Sequence, residues 1–225
     1  MRRGKLIAIE GTDASGKNTQ TNYLYEKLKN GGFPIERSSF PRYDTPTGKI
    51  VGGPLLGKKE ISNSFFESPA NIDPKVASAY YVADRRFNLP FINQTLRAGN
   101  HLILDRYVAS NMGHQGGKIR DSQERLKFYN WLDKLEYDMF ELPRPDLTLF
   151  LYMPFEIGME LKSKMGTPKD EVEKDFNYLK NSEEAYLQLA NLYDWRKVDC
   201  IKDGQIRSKE NIAEEVYNIV KEILY

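Results

Sequence analysis

Cysteine is nearly absent from this chain. Cys200 stands alone among 225 residues, so no internal disulfide can form and a reducing, cytoplasmic setting is expected. Histidine is almost as scarce: His101 and His114 are the only two, too few to build a zinc-ligand cluster. Long apolar runs are missing, since none approaches the ~20 residues that span a bilayer. The basic tip Met1 to Lys5 runs straight into a strand-like segment and does not read as a signal peptide. Surplus charge is missing too. The 33 Lys+Arg oppose 32 Asp+Glu, for a net +1, which argues against a surface built wholly for nucleic acid while leaving local basic patches open. Neither nucleic acid nor membrane is therefore expected as a partner.

What is present suits one soluble domain over residues 1–225. Hydrophobic residues make up 40% and charged residues 29%, enough for a core and a solvated surface and unlike a disordered chain. Short apolar runs alternate with longer stretches of helical period. Strands are expected at Leu6 to Ile9, Phe33 to Phe40, His101 to Asp105, Leu147 to Met153 and Lys197 to Ile201. Helices are expected from Thr19 to Lys29, Pro74 to Leu96 with a break near Pro90, Asp121 to Phe140, and Phe155 to Lys164. Two more should end near Tyr193 and run from Ser208 to Leu224. Such alternation implies right-handed crossovers and a doubly wound parallel sheet, with ligands beyond the carboxyl ends of its strands.

The strongest motif lies at such an end. Gly11-Thr12-Asp13-Ala14-Ser15-Gly16-Lys17 fits G-x-x-x-x-G-K after a strand and before a helix. Glycines let successive N–H groups turn inward toward phosphate oxygens, the helix N-terminus adds partial positive charge, and Lys17 adds a full one. Context and spacing favour this over a Gly-rich turn with a solvated lysine. Gly11, Asp13, Ala14, Ser15, Gly16, Lys17, Asn18 and Thr19 are the ATP-binding candidates. Asn18 stands where Ser or Thr usually supplies a hydroxyl to Mg²⁺; its amide oxygen can ligate the metal less compactly. Asp13, a carboxylate among phosphates, is either a solvent-facing loop residue or is aimed at the second substrate.

Further along, Asp105-Arg106-Tyr107-Val108-Ala109-Ser110-Asn111 resembles the strand-end DR[YH] motif of thymidylate kinases. The loop Gly11 to Lys17 has that family's G-x-[DE]-x-x-G-K form. Phe40-Pro41-Arg42-Tyr43, Tyr81 to Arg85, and Leu142-Pro143-Arg144-Pro145-Asp146 are similar to further segments of the family, in the same order. The resemblance implies a P-loop nucleoside-monophosphate-kinase-like three-layer α/β fold, with a five-stranded parallel sheet flanked by helices and a mobile lid. It implies transfer of the ATP γ-phosphate to dTMP with Mg²⁺, giving dTDP and ADP, and a homodimer. Lys17 would grip the donor. Arg42 and Arg106, planar forks suited to phosphate, would meet the acceptor phosphate and the moving group, and Asp105, with Asn18, would serve Mg²⁺. Around the acceptor, Phe40 and Pro41 would line the site, Tyr81 would stack on the pyrimidine, Arg85 would meet thymine O4, and Asn111 would read the N3 edge beside Ser110. Asp13 would accept the sugar 3′-hydroxyl. His114 replaces the family's usual Tyr or Phe against the sugar, which would weaken discrimination against ribonucleotides; an ordinary helix-end histidine is the other reading.

The family places a catalytic arginine in the P-loop or in the lid. Ala14 occupies the P-loop position, and the lid, about 160–174, offers Lys162, Lys164, Lys169 and Lys174 but no arginine. Lys164 is the expected replacement, with Lys162 second. Two alternatives remain at this level: a P-loop kinase with another acceptor such as dUMP, dCMP or a nucleoside, and a catalytically weak nucleotide-binding switch.

Overall fold

Five short apolar strands set the architecture. In the computed structural model, which describes residues 2–165 and 176–224, they are β1 (Leu6–Gly11), β2 (Ile35–Ser39), β3 (His101–Asp105), β4 (Leu147–Tyr152) and β5 (Arg196–Asp199). They form one parallel sheet in the order β2-β3-β1-β4-β5, the doubly wound arrangement expected of such segments. The central strand β1 is buried along its whole length. Strand side chains alternate between faces, so Leu6 and Ala8 join Leu102 and Leu104 in one core while Ile7 and Ile9 join Ile103, Leu149 and Leu151 in the other. Each buried Leu or Ile contributes about 1.5–3 kcal/mol, which is why both faces must be covered.

The helices are α1 (Lys17–Asn30), α2 (Pro46–Ile50), α3 (Pro74–Phe87), α4 (Leu89–Arg97), α5 (Val108–Gly116), α6 (Ser122–Asp133), α7 (Phe155–Met165), α8 (Phe176–Leu192) and α9 (Lys209–Leu224). Leu24, Leu28, Val216 and Val220 bring α1 and α9 onto one face, and Val82, Ile92, Met112 and Phe128 bring α3 to α6 onto the other. Capping follows the sequence. Asp73 accepts from the amides of Lys75 and Val76, Asp121 from those of Gln123 and Glu124, and Ser208 from that of Asn211.

Several boundaries differ from the periodicity. Helix α1 begins at Lys17 instead of Thr19, because Gly16, at φ 77°, turns the chain directly into it. The long helix breaks at Asn88, whose amide donates to the Asp84 carbonyl just before Pro90, and α6 ends early, continuing as a π-helical turn, Lys134–Met139. Periodicity marks neither α2 with its π-helical extension, Val51–Leu55, nor the hairpin of β6 (Ile201–Lys202) and β7 (Gln205–Ile206). Helix α5 is also unmarked, since Gly113, Gly116 and Gly117 read as helix breakers. They are contact residues instead: a Cβ on Gly113 would lie 2.6 Å from the Tyr186 ring, and one on Gly117 2.8 Å from the Ser182 backbone. Of the expected lid, Lys162 and Lys164 lie on α7, whereas Lys169 and Lys174 fall outside the described residues.

Gly117→Ala should destabilise the fold by about 1–3 kcal/mol, because backbone cannot yield to the added methyl as a side chain can. Urea denaturation followed by circular dichroism measures it.

Candidate active site

The phosphate loop leaves β1 through two left-handed residues, Ala14 (φ 59°) and Gly16 (φ 77°). Glycine adopts this region freely, whereas for alanine it is unusual and typical of functional sites. Close approach shapes the loop start: a Cβ on Gly11 would lie 2.6 Å from the Leu151 carbonyl. Thr12 fastens the loop to the end of β4, its hydroxyl donating to the Met153 carbonyl at 2.7 Å and accepting from the Met153 amide at 2.9 Å. Lys17 reaches back over the loop to donate to the carbonyls of Gly11 (3.0 Å) and Thr12 (2.9 Å). Burial, and then the charge of Arg106, pull its ammonium down to about 8. Ser15 is buried in the loop, while Asn18 and Thr19 follow Lys17 in the first turn of α1.

Beside the loop, Arg106 follows β3 with φ 67°. Its guanidinium donates to Ser110 Oγ at 3.1 Å, contacts His114 Nε2 at 3.1 Å, and lies 3.6 Å from the Asp13 carboxylate. The Ser110 hydroxyl donates to Glu10 and receives the Tyr186 hydroxyl, while the other Glu10 oxygen accepts the Tyr107 amide at 2.7 Å. Burial raises the Glu10 carboxyl above its ordinary value, against the Ser110 hydrogen bond and the Arg106 charge. Burial also pushes the Asp13 carboxyl up, but Lys17, Arg106 and Lys162 outweigh it and hold it at about 2. His114 falls to about 3 through burial and the charge of Arg106. Neutral at working pH, it accepts from Arg106 through Nε2 and carries its proton on Nδ1. Tyr178 lies parallel to its ring, with centroids 6.0 Å apart.

A cavity of about 290 Å³ opens next to this junction. Asp13, Phe40, Pro41, Tyr81, Arg85, Arg106, Ser110, Asn111 and His114 all line it, so nine of the ten residues expected around the acceptor share one space. Arg42 is the exception. Its backbone amide donates to buried Asp84 at 2.9 Å, and its guanidinium lies over the Phe91 ring at 4.7 Å. Held that way, the loop gives the cavity Tyr43 instead.

Lys164 and Asn18 each have a partner on their own helix. The Lys164 ammonium pairs with Glu160 at 2.7 Å and the side chain is 72% exposed. Lys162, only 13% exposed, faces the Asp13 carboxylate at 3.8 Å. One helical turn earlier, Gly158 passes so close that its Cβ would lie 3.0 Å from the Asp13 carbonyl, which seats α7 on the loop and aims Lys162 inward. The Asn18 amide oxygen accepts from Asn22 at 3.0 Å on the exposed face of α1. Asp105, ending β3, is placed where its charge favours the cationic forms of Lys17 and Arg106.

Glu10, Glu136, Lys58, Gln115 and Tyr178 fall outside the motifs read from the sequence, and Asp84 and Tyr43 lie within them without an assigned role. Glu10 did carry a signal, an acid closing an apolar strand immediately before the loop. Glu136 carried none, because charged residues are ordinary in a helical stretch; here its buried carboxylate pairs with Arg85 and accepts from Asn111.

Comparison with known proteins agrees with this geometry. The family model for thymidylate kinase matches residues 9–204. The thymidylate kinase of Halothermothrix orenii is 30% identical over 225 residues, covering 97% of this chain and 97% of its own. The human thymidylate kinase is 28% identical over 203 residues, covering 89% of this chain and 84% of its own. The structure of thymidylate kinase from Candida albicans superposes with a TM-score of 0.75 at 26% identity, covering 98% of this chain and 92% of that one. With a family model matched over residues 9–204 and a relative 30% identical along nearly the whole length, this chain belongs to the thymidylate kinase family.

Proposed function

We propose that the protein transfers the γ-phosphate of ATP to dTMP, giving dTDP and ADP, with its catalytic groups gathered around Arg106. The observation that carries this reading is the position of that guanidinium. It reaches the phosphate-loop residue Asp13 on one side and Ser110 and His114 of the acceptor cavity on the other. Phosphoryl transfer asks for two polyanions held in line with positive charge between them, and Arg106 stands at that point. Lys17 and the loop amides take the β- and γ-phosphates of ATP, and Arg106 spans the moving group and the acceptor phosphate. Asp13 keeps Arg106 and Lys162 turned toward the loop, with oxygen lone pairs left for a sugar hydroxyl.

The donor set suits Mg²⁺ in part. Among the described residues no group of three or more His, Cys, Asp or Glu gathers to hold a metal. A magnesium ion that keeps its waters and takes phosphate oxygens needs only one or two carboxylates. Asp105 fits that role; Asn18, whose oxygen accepts from Asn22 with one lone pair, keeps the other for the metal or one of its waters. When bound, the ion neutralises phosphate charge and aligns the donor. Lys162, not Lys164, supplies the charge that an arginine gives elsewhere in the family, as a point charge without the bidentate fork. A homodimer is also proposed, supported by the exposed Val76 and Phe87 on α3; the free, buried Cys200 suits a cytoplasmic setting.

Lys162→Ala should lower kcat about a hundredfold or more, the effect of losing one preorganised transition-state contact, while Lys164→Ala stays within about threefold. A coupled ADP-release assay with saturating ATP and dTMP separates the two. The pH dependence has a definite sign. Lys17 is charged below about 8, so kcat/KM for ATP should hold steady at neutral pH and fall as pH rises through about 8. The kcat profile should break at higher pH, because bound phosphates favour the ammonium. Rate measurements from pH 6 to 10 at low and at saturating ATP test this.

A further inference from the structure

The acceptor cavity contains a side-chain amide whose direction is dictated from behind. Asn111 is 3% exposed and its Oδ1 has no protein partner. Its Nδ2 faces two acceptors, Glu136 Oε1 at 3.2 Å and the Ser78 carbonyl at 3.5 Å. Glu136, fully buried in the π-helical turn after α6, receives Arg85 Nε at 2.8 Å on one oxygen and Arg85 Nη2 on the other. A carboxylate whose two oxygens both receive guanidinium N–H groups can only accept. An amide has one donating and one accepting end, so the NH₂ of Asn111 must turn to Glu136, which leaves a buried, unpartnered oxygen on a residue that lines the cavity.

We infer that Glu136 is the positioning residue that sets base selectivity. It touches no substrate. By pinning Asn111 and Arg85 together it presents an acceptor beside a donor. That pair complements a pyrimidine imide, whose N3–H donates next to the accepting O4. Against cytosine the pattern is reversed, because N3 accepts and the 4-amino group donates. Charge pairing alone is a poor reason for Glu136 to be there, since the desolvation cost of a buried Arg–Glu pair largely offsets its attraction. Fixing the amide is something an apolar pair could not do. The inference rests on the dTMP reading above and adds to it the buried group that holds Asn111 and Arg85 in their base-reading directions.

The test compares kcat/KM for dTMP, dUMP, dCMP and N3-methyl-dTMP, with ATP and Mg²⁺, in wild type, Glu136→Gln, Asn111→Leu and the double variant. Wild type should favour dTMP and dUMP over dCMP by at least about a hundredfold and lose a similar factor on N3-methylation, as a mismatched buried hydrogen-bonding pair dictates. Glu136→Gln should cut the dTMP/dCMP ratio at least about tenfold, Asn111→Leu should do the same, and the double variant should show no further fall. A purely structural Glu136 would lower the melting temperature and leave the ratio alone. A wild type that phosphorylates dTMP, with folded variants whose ratio stays at its value, overturns the role of Glu136 and leaves the function standing. If Glu136→Gln does not fold, an unchanged ratio in Asn111→Leu or indifference to N3-methylation overturns it. A wild type inert toward dTMP overturns both.

Discussion

Glu10 ends the apolar run of β1 with its carboxylate fully buried, and the geometry of the reaction centre follows from satisfying it. An unpaired carboxylate there would cost several kcal/mol, so the start of α5 is held where the Tyr107 amide and the Ser110 hydroxyl can reach it. A hydroxyl has one proton and two lone pairs. Ser110 gives its proton to Glu10 and is left as an acceptor for Arg106 and Tyr186. The Arg106 guanidinium, between the phosphate loop and the cavity, is therefore oriented from below.

The same device appears twice. Glu136 underlies Arg85 and Asn111 as Glu10 underlies Ser110 and Arg106, and in each case a buried anion aims polar groups at the cavity. Groups already aimed need no reorganisation when charge shifts during transfer, which is where electrostatic catalysis gains most of its advantage. Asp84 does comparable work for the loop after β2: it takes the Arg42 amide and the Thr47 hydroxyl, and the chain is set so that Tyr43 lines the cavity.

Much of this was legible without coordinates. The loop from Gly11 to Lys17 is local, because glycine spacing, a preceding apolar strand and a following helix act over fewer than twenty residues. The strands and the capped helices were readable for the same reason. Helix α5 was not, because Gly113 and Gly117 look like breakers until Tyr186 and Ser182 are seen packed against them. The preference for Lys164 over Lys162 has no support in spacing, because both sit in one charged stretch and only the seating of α7 at Gly158 turns Lys162 toward Asp13. Arg42 was equally beyond reach of the sequence. Its residue type suits phosphate, but its backbone is held by Asp84, 42 residues away, and its guanidinium lies over the Phe91 ring.

The amino-acid order by itself determined the alternation of strand and helix and the phosphate loop, since each depends on periodicity or spacing within one short segment; the residues expected around an acceptor came from the resemblance to thymidylate kinases. Tertiary structure alone decided which charges face the cavity and which way Asn111 points. Those outcomes depend on burial and on hydrogen-bond partners brought from distant segments, and a side chain's direction is not a property of its own neighbourhood in the chain.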